Sequence, residues 1–307
     1  MKTAIIILCR YESSRLPGKI LKDLHGRPVL MHIADRIRRA MPGASLVVAT
    51  SDLASDDRIA GFCQSNDLAC FRGPLDDVAG RFLAAAESVQ ADFAVRINGD
   101  NVLLDGTTLQ QVVAIAETGL YDFVTNVPGR TFPYGMSVEA VAVPFYRRLI
   151  AAMTSASDRE HVTKYLYDHP SEGRRFVYEN TGCASARGLK LALDTVEDFA
   201  RIQSILAALG PEPDAAPLAR VAHAARDLEG PDPWAGRHGP LLIAEIGGNH
   251  EGDFEAAKRL AALAVGCGVD YVKFQLYRGD TLVSPVEAPD RNRHFKKFEL
   301  TREQHLE

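Results

Sequence analysis

The sequence predicts an α/β protein with a doubly wound sheet, because short apolar runs alternate with stretches of helical spacing. The first run, residues 4–9, is β-branched and apolar at successive positions, which is typical of a strand buried on both faces. Helical spacing follows, since Val29, Ile33 and Ile37 fall on one face of a helix. Ligands of such sheets bind beyond the carboxyl ends of the strands.

The other elements of the first two-thirds follow from the same patterns. Similar apolar runs predict strands at 46–50, 68–71, 93–97, 123–126, 138–143 and 189–193. Capping-box pairs predict that helices begin at Thr107 with Gln110, Ser157 with Glu160, and Thr195 with Asp198. The alternation of the two element types extends through residue 210.

Composition places the 307-residue chain among ordinary globular proteins, with 46% apolar and 24% charged residues. The longest apolar runs have six residues, far fewer than the roughly 20 of a membrane helix, so we expect a cytoplasmic protein without membrane contact. Five cysteines without a C-x-x-C pair are typical of reduced thiols. A net charge of −5 gives no reason to expect nucleic acid.

Positive charge is concentrated at the amino terminus. Residues 1–40 carry nine Lys and Arg against three Asp and Glu, a local charge of +6. This concentration predicts a confined site for a small polyanionic ligand. The alternative, a solvated basic helix at 36–39, accounts for only three of the nine cations.

A change of composition after residue 210 predicts two domains. Residues 210–240 hold six of the sixteen prolines, and 229–239 has no periodicity, which indicates a linker between domains at 1–228 and 240–307. The second domain begins with a strand at 241–246, a helix at 254–266 and a strand at 271–275. The pair Thr301 and Gln304 predicts another helix start. A β-α-β fragment of this length lacks the strands needed to cover its sheet, so we expect a truncated domain.

The loop after the first strand carries groups suited to a phosphate. They are the cations Arg10, Arg15 and Lys19, the hydroxyls of Ser13 and Ser14, and Gly18, which permits close backbone approach. Three cations within ten residues can hold a triphosphate, although the loop is no P-loop. An exposed basic turn is the alternative.

Two carboxylates follow predicted strands. Asp100 comes after 93–97 and Asp194 after 189–193. Capping of the next helix would explain either one, but Thr195 can supply that cap and leave Asp194 available. Because Mg²⁺ usually takes only one or two protein carboxylates, the pair predicts a magnesium site. Together with the cationic loop, it indicates metal-assisted nucleotidyl transfer.

Residues 1–210 resemble the cytidylyltransferases related to the acylneuraminate and 3-deoxy-manno-octulosonate enzymes, especially their spore-coat-polysaccharide branch. The matching motifs lie at 10–19, 50–52 with 56–57, 71–81, 96–100, 157–162 and 193–198. The resemblance implies a GT-A-like (Rossmann-like) nucleotidyltransferase fold that binds CTP, a sugar acid and Mg²⁺ (or Mn²⁺), often as a homodimer. It further implies that Arg15 and Lys19 hold phosphates and that Asp100 and Asp194 hold the metal. Many members of the branch read Thr-Gly-Asp-Cys-Pro where this chain has Asn98-Gly-Asp-Asn-Val, which keeps the metal-binding Asp and alters the sugar side.

The same motifs contain further candidate substrate contacts. Arg72 and Asp77 follow a predicted strand where base recognition would lie, although a turn with acids at a helix start explains them equally well. Arg96 precedes Asp100 in its motif. Helix initiation by Ser157 accounts for Glu160 and leaves Arg159 and His161, the latter more often structural, as possible contacts. These candidates complete the predicted nucleotide and substrate site.

The second domain carries a separate constellation. Glu245, Lys273 and Gln275 lie at the ends of two strands one βα unit apart, where a barrel places its chemistry, although a glycine-rich turn with a capping Asp is an alternative. Residues 240–307 resemble the opening of sialic acid (N-acetylneuraminate) synthases, which condense phosphoenolpyruvate with an amino sugar using a divalent metal. The resemblance implies an incomplete TIM-barrel fragment in which these three residues bind substrate. The metal-binding histidines would lie downstream, so we expect no synthase activity from these residues alone.

Taken together, these patterns predict transfer of CMP from CTP to a nonulosonic, sialic-acid-like sugar acid in surface polysaccharide biosynthesis, with release of pyrophosphate. One alternative is a GT-A glycosyltransferase that uses a nucleotide sugar, but the sequence contains no D-x-D. Another is a non-catalytic nucleotide-binding module, which has no need of two metal carboxylates. A fusion with a synthase would couple two consecutive steps.

Overall fold

The computed structural model describes residues 1–229, 235–236 and 239–306, which fall into two units, Met1–Leu228 and Glu229–Glu307. The predicted linker at 229–239 lies largely outside the described residues. No helix in the described ranges is both long enough and apolar enough to span a bilayer.

The first unit is built on a central sheet. Its strands are β1 (Thr3–Leu8), β2 (Asp23–Leu24), β3 (Arg27–Pro28), β4 (Ser45–Ser51), β5 (Ala69–Gly73), β6 (Phe93–Asn98), β7 (Phe123–Thr125), β8 (Glu139–Ala142) and β9 (Arg175–Val177). Seven of them form the sheet in the order β5-β4-β1-β6-β8-β7-β9, and β2 and β3 form a separate hairpin. Strands β5, β4, β1 and β6 are parallel, whereas β8 is antiparallel to both of its neighbours. This mostly parallel sheet confirms the predicted α/β class.

Helices cover both faces of the sheet. They are α1 (Val29–Ala40), α2 (Asp57–Ser65), α3 (Val78–Ser88), α4 (Gly106–Glu117), α5 (Val143–Ile150), α6 (Ala156–Glu160), α7 (Lys164–Asp168), α8 (Val196–Leu209) and α9 (Leu218–Asp227). Alternate residues of β1 enter two separate cores, Ile5 on one face and Ile6 on the other, and both are fully buried. The unbroken apolar run of β1 therefore follows from burial on both faces.

The predicted strand at 189–193 is wrong. The segment forms only an isolated bridge between Lys190 and Tyr134. Leu191 N–H donates to the Tyr134 carbonyl at 2.6 Å, and Tyr134 N–H donates to that of Leu189 at 2.9 Å. The segment is buried at Leu189, Leu191 and Leu193. Its residues are therefore apolar because they are buried, and not because they belong to the sheet.

Two of the predicted helix starts are also wrong, because an earlier residue supplies the cap. Asp105, not Thr107, caps α4 and accepts from the Thr108 N–H at 2.8 Å. Ser155, not Ser157, caps α6 and accepts from the Asp158 N–H at 3.1 Å. In both helices the capping side chain stands on extended backbone two residues before the predicted one, so the predicted cap lies inside the helix.

The third predicted start is confirmed. Thr195 and the N3 residue Asp198 form a reciprocal capping box at the start of α8. The cap of this helix therefore comes from Thr195 and leaves the Asp194 side chain available for other contacts.

The second unit contains a β-α-β arrangement, as predicted. Its elements are β10 (Ala235–Gly236), β11 (Gly239–Pro240), β12 (Ile243–Gly247), α10 (Phe254–Gly266), β13 (Tyr271–Phe274), α11 (Gly279–Leu282), α12 (Pro289–Lys296) and α13 (Arg302–Leu306). Strands β12 and β13 pair in parallel, and helix α10 connects them. Thr301 and Gln304 exchange the two hydrogen bonds of a capping box before α13, which confirms that helix start.

Candidate active site

The carboxyl ends of β1 and β6 meet because the two strands are adjacent and parallel, with Leu8 opposite Asn98. The Gly99 N–H donates to the Leu8 carbonyl at 2.9 Å. A Cβ at Gly99 would lie 2.8 Å from Cβ of Cys9, so only glycine permits this approach. The fold therefore brings the loop after β1 beside Asp100.

Buried Asp56 anchors that loop. Its carboxylate accepts from the Tyr11 N–H at 2.6 Å and from the hydroxyls of Thr50 and Ser51. Burial opposes ionisation, yet these hydrogen bonds together hold the pKa of Asp56 below its ordinary value. The loop closes where Gly18, at φ 69°, donates to the Tyr11 carbonyl at 2.8 Å. The sequence patterns did not assign Asp56 this role; its place in the 56–57 motif was the only indication.

A cavity of about 330 Å³ opens between this loop and β6; we term it the Lys19 cavity. The predicted site residues in its lining are Arg10, Ser13, Ser14, Arg15, Lys19, Asp100 and His161. The structure thus brings the cationic loop and the first aspartate to one concave surface.

Lys19 and Arg15 also contact the second aspartate. Lys19 Nζ lies 3.3 Å from Asp194 Oδ1 and donates to the Leu193 carbonyl at 2.6 Å. Arg15 lies 2.9 Å from the same carboxylate oxygen. The Leu193 N–H donates to the Asp100 carbonyl at 3.1 Å, which holds the two aspartate-bearing segments together.

Asp100 is partly buried, and its carboxylate is incompletely satisfied. Among the described residues, nothing donates a hydrogen bond to its Oδ1. Burial raises its pKa, with a further contribution from the like charge of Asp194, although Lys19 acts in the opposite direction. A buried carboxylate oxygen without a donor, near a second carboxylate, suits a divalent cation.

The metal-ligating side chains here are few. Within the described ranges, no group of three or more His, Cys, Asp or Glu side chains could hold a metal ion. Mg²⁺ differs from most protein-bound metals in keeping several waters and using one or two carboxylates. The residues present therefore fit a hydrated Mg²⁺ or Mn²⁺ rather than a site enclosed by protein.

A second cavity of about 230 Å³, the Glu139 cavity, shares Asn98 and Asp100 with the first. Arg96 lines it and forms a close ion pair with the buried Glu139. Burial alone would lower the pKa of Arg96, but Glu139 more than compensates and raises it. Tyr167 donates to Glu139 at 2.5 Å, and burial with this carboxylate raises the pKa of Tyr167.

Sequence reasoning did not identify Glu139 or Tyr167. Glu139 begins β8, which lies antiparallel to β6 with Arg96 directly opposite. The pairing of β8 with β6 places Glu139 near Asp100, and Tyr167 reaches Glu139 from α7. An acid within an otherwise apolar strand was the one available indication.

Arg72, Asp77 and Arg159 lie outside the linings of both cavities. Arg72 pairs with Asp57 at 2.7 Å and donates to the Ser51 carbonyl. Asp77 caps α3 through the Gly80 N–H at 2.9 Å. These contacts stabilise the surrounding elements, in agreement with the helix-start alternative for Asp77.

The Arg159 side chain connects α6 to Asp77 and to the chain at the end of α5. It pairs with Asp77 at 3.2 Å and donates to the carbonyls of Met153 and Ile150. Its guanidinium is therefore engaged within the protein, whereas His161, two residues later, reaches the Lys19 cavity.

The three candidates of the second unit lie close to one another. Glu245 stands opposite Lys273 in the β12-β13 register, and their side chains form an ion pair at 2.6 Å. The Gln275 side chain approaches Gly247. All three candidate side chains are exposed.

Known proteins resemble the first unit in sequence and in structure. A family model described as cytidylyltransferase matches residues 4–224. The chain is 30% identical over 217 residues to the spore coat polysaccharide biosynthesis protein SpsF of Bacillus subtilis, across 68% of this chain and 88% of that protein. It is 33% identical over 120 residues to the 3-deoxy-manno-octulosonate cytidylyltransferase of Anaeromyxobacter dehalogenans, across 38% of this chain and 48% of that protein.

A solved structure gives the same result. The cytidylyltransferase of Leptospira borgpetersenii superposes with a TM-score of 0.69 at 26% identity. The match covers 75% of this chain and 95% of that one.

Proposed function

Because this chain belongs to the cytidylyltransferase family and is therefore a nucleotidyltransferase, we propose that it transfers CMP from CTP to a nonulosonic, sialic-acid-like sugar acid. Pyrophosphate is the second product, and surface polysaccharide biosynthesis is the setting. The main support for the proposal is that Asn98 and Asp100 line both cavities, and that the Lys19 cavity is also lined by several cations. Two ligands bound there would meet at Asp100.

The Lys19 cavity is the proposed site of the CTP triphosphate. Its lining contains Arg10, Arg15 and Lys19, with Ser13 and Ser14 beside them. Charge-assisted hydrogen bonds from such groups are among the strongest that proteins make to phosphate. The Arg15 side chain is 59% exposed and can turn toward a ligand, whereas that of Lys19 is largely buried.

Asp100 and Asp194 are the proposed ligands of Mg²⁺ or Mn²⁺. The unsatisfied Oδ1 of Asp100 supports this assignment, as does the position of Asp194 beside Lys19. When bound, the cation would neutralise phosphate charge and lower the pKa of the attacking hydroxyl.

The protein's own residues supply alignment and charge. In the proposed reaction the anomeric oxygen of the sugar acid bonds to the α-phosphorus, the α–β phosphoanhydride bond breaks, and the hydroxyl proton leaves to solvent. Lys19 and Arg15 stabilise the negative charge that grows on the departing pyrophosphate. Little covalent help is required, since positioning and charge stabilisation account for most of such rate enhancements.

Pyrophosphate release measured with each of the four nucleoside triphosphates and a panel of sugar acids tests this function. We expect turnover only with CTP and a nonulosonic acid. Tight nucleotide binding without turnover would contradict the proposal and favour the binding module. Transfer of sugar from a nucleotide sugar would instead favour the glycosyltransferase. Sedimentation equilibrium tests the homodimer that the resemblance implies.

We propose separately that the second unit opens a synthase-type (β/α)₈ barrel whose Glu245, Lys273 and Gln275 bind phosphoenolpyruvate. Support comes from the parallel β12-α10-β13 arrangement, which puts Glu245 and Lys273 in register on neighbouring strands. An NMR titration of the whole chain with phosphoenolpyruvate should shift resonances at these three residues. An unchanged spectrum at millimolar ligand would overturn the assignment.

A further inference from the structure

The Glu139 cavity contains an uncommitted cation. Its lining includes four charged side chains, those of Arg96, Asp100, Arg130 and Glu139. Arg96 and Glu139 neutralise each other, and Asp100 belongs to the wall shared with the Lys19 cavity. In the part of the chain that the structure describes, no hydrogen bond or ion pair engages the Arg130 guanidinium, which is exposed. Arg130 is thus the residue of this lining with which an anionic ligand could form an ion pair.

The backbone around Arg130 is held in an uncommon conformation. Gly129 and Arg130 both have positive φ, 74° and 50°, and the left-handed region is costly for a residue with a side chain. Neighbouring contacts hold the turn. Asn180 donates from its N–H to Thr131 Oγ1 and from its side chain to the Thr131 carbonyl, both at 3.0 Å, and Phe132 is buried. These contacts hold the backbone next to Arg130, whose side chain is exposed.

We propose that Arg130 binds the carboxylate of the sugar acid and thereby selects acids over neutral sugars. This inference rests on the proposed function, because it assigns the sugar acid to the Glu139 cavity. In such acids the carboxylate is attached to the anomeric carbon, so the group that Arg130 holds is adjacent to the attacking hydroxyl. A guanidinium matches a carboxylate through two parallel hydrogen bonds, which fixes orientation as well as affinity.

Arg96 is the other cation in the cavity, but it is poorly suited to this task. It already pairs with Glu139 and donates to the Thr163 hydroxyl at 3.4 Å. A second carboxylate at Arg96 would face the negative charge of Glu139 in a buried setting, where like charges repel strongly. Glu139 thus directs an incoming carboxylate toward Arg130.

Steady-state kinetics of Arg130→Ala and Arg130→Lys test the assignment, with 3-deoxy-manno-octulosonate and N-acetylneuraminate as probes. Loss of a charge-assisted hydrogen bond should raise KM for the acid about tenfold to a hundredfold in Arg130→Ala. Arg130→Lys keeps the charge without the paired donors and should show a smaller increase. KM for CTP should not change. The matched control is Arg148→Ala, which removes an exposed arginine that lines neither cavity.

The C1-amide of each acid separates recognition of the carboxylate from a general effect on the cavity. Wild-type protein and Arg130→Ala should bind the amide equally weakly in calorimetry. An unchanged KM and affinity for the acid in Arg130→Ala would overturn the inference, as would an equal increase in KM for CTP. If wild-type protein turns over no sugar acid, the proposed function fails. Calorimetry then still decides the carboxylate site, because binding is measured without turnover.

Discussion

Lys19 Nζ lies 3.3 Å from Asp194 Oδ1, although 175 residues separate the two in the chain. The same ammonium donates to the carbonyl of Leu193. One cation therefore joins the loop after β1 to the segment that carries the second aspartate. The proposed phosphate-binding loop and the proposed metal ligand Asp194 are consequently linked through one side chain.

Asp100→Asn should lower the rate of pyrophosphate release by at least about 10²–10³-fold while the protein remains folded. The amide keeps the shape of the side chain and removes the charge proposed to hold the cation. Pyrophosphate release with Mg²⁺, alongside circular dichroism, measures both effects. Wild-type turnover by this variant would remove Asp100 from the mechanism.

The same variant should change the pH dependence of stability in the metal-free protein. Since burial raises the pKa of Asp100, the folded state holds the proton more tightly than the unfolded state. Wild-type stability should therefore decrease as pH rises from the ordinary Asp value of 3.8 through the raised value, and Asp100→Asn should lack this decrease. Urea unfolding across this range measures the difference. Parallel curves for the two proteins would contradict the effect of burial.

Mg²⁺ should stabilise the wild-type protein more than Asp100→Asn. A ligand that binds only the folded state, present at a hundred times its Kd, adds about 2.7 kcal/mol to the free energy of unfolding. Thermal unfolding with Mg²⁺ and after EDTA tests this expectation. An equal shift of Tm in both proteins would place the cation elsewhere.

Lys19→Met and Arg15→Met should separate activity from stability. Both remove a proposed phosphate contact and should slow pyrophosphate release. Only Lys19→Met should also destabilise the fold, by about 1–3 kcal/mol, because Lys19 is largely buried and pairs the buried Asp194. Arg15 is mostly exposed, so its loss should leave Tm nearly unchanged. Equal destabilisation by the two changes would contradict this division.

Asp105→Ala should destabilise the protein by about 2–4 kcal/mol, since three donors lose their acceptor. They are the Thr108 N–H, the Thr108 hydroxyl and the Leu218 N–H. The control Thr107→Ala removes the residue that the sequence pattern favoured as the cap and should cost less than about 0.5 kcal/mol. Chemical denaturation of both variants provides the comparison, and the reverse ranking would restore Thr107 as the cap.

Elements with a strong local pattern could be predicted from the sequence. The run at β1 is apolar because the strand is buried on both faces, and the residues after it carry cations and hydroxyls wherever the rest of the chain folds. The 189–193 run failed as a strand prediction because buried residues are apolar whether or not a neighbouring strand pairs with them. The start of α4 failed because the helix begins two residues before the predicted start, which leaves Asp105 as the cap and Thr107 inside the helix.

The sequence by itself determined the α/β class, the cationic loop and the two aspartates, because each depends on residues close together in the chain. Tertiary structure decided which distant groups share a cavity. Glu139 faces Arg96 because β8 pairs with β6, and Arg130 reaches the same cavity because the turn after β7 is held by Asn180. No local pattern encodes those neighbours, since strand order and loop packing follow from the free energy of the whole fold.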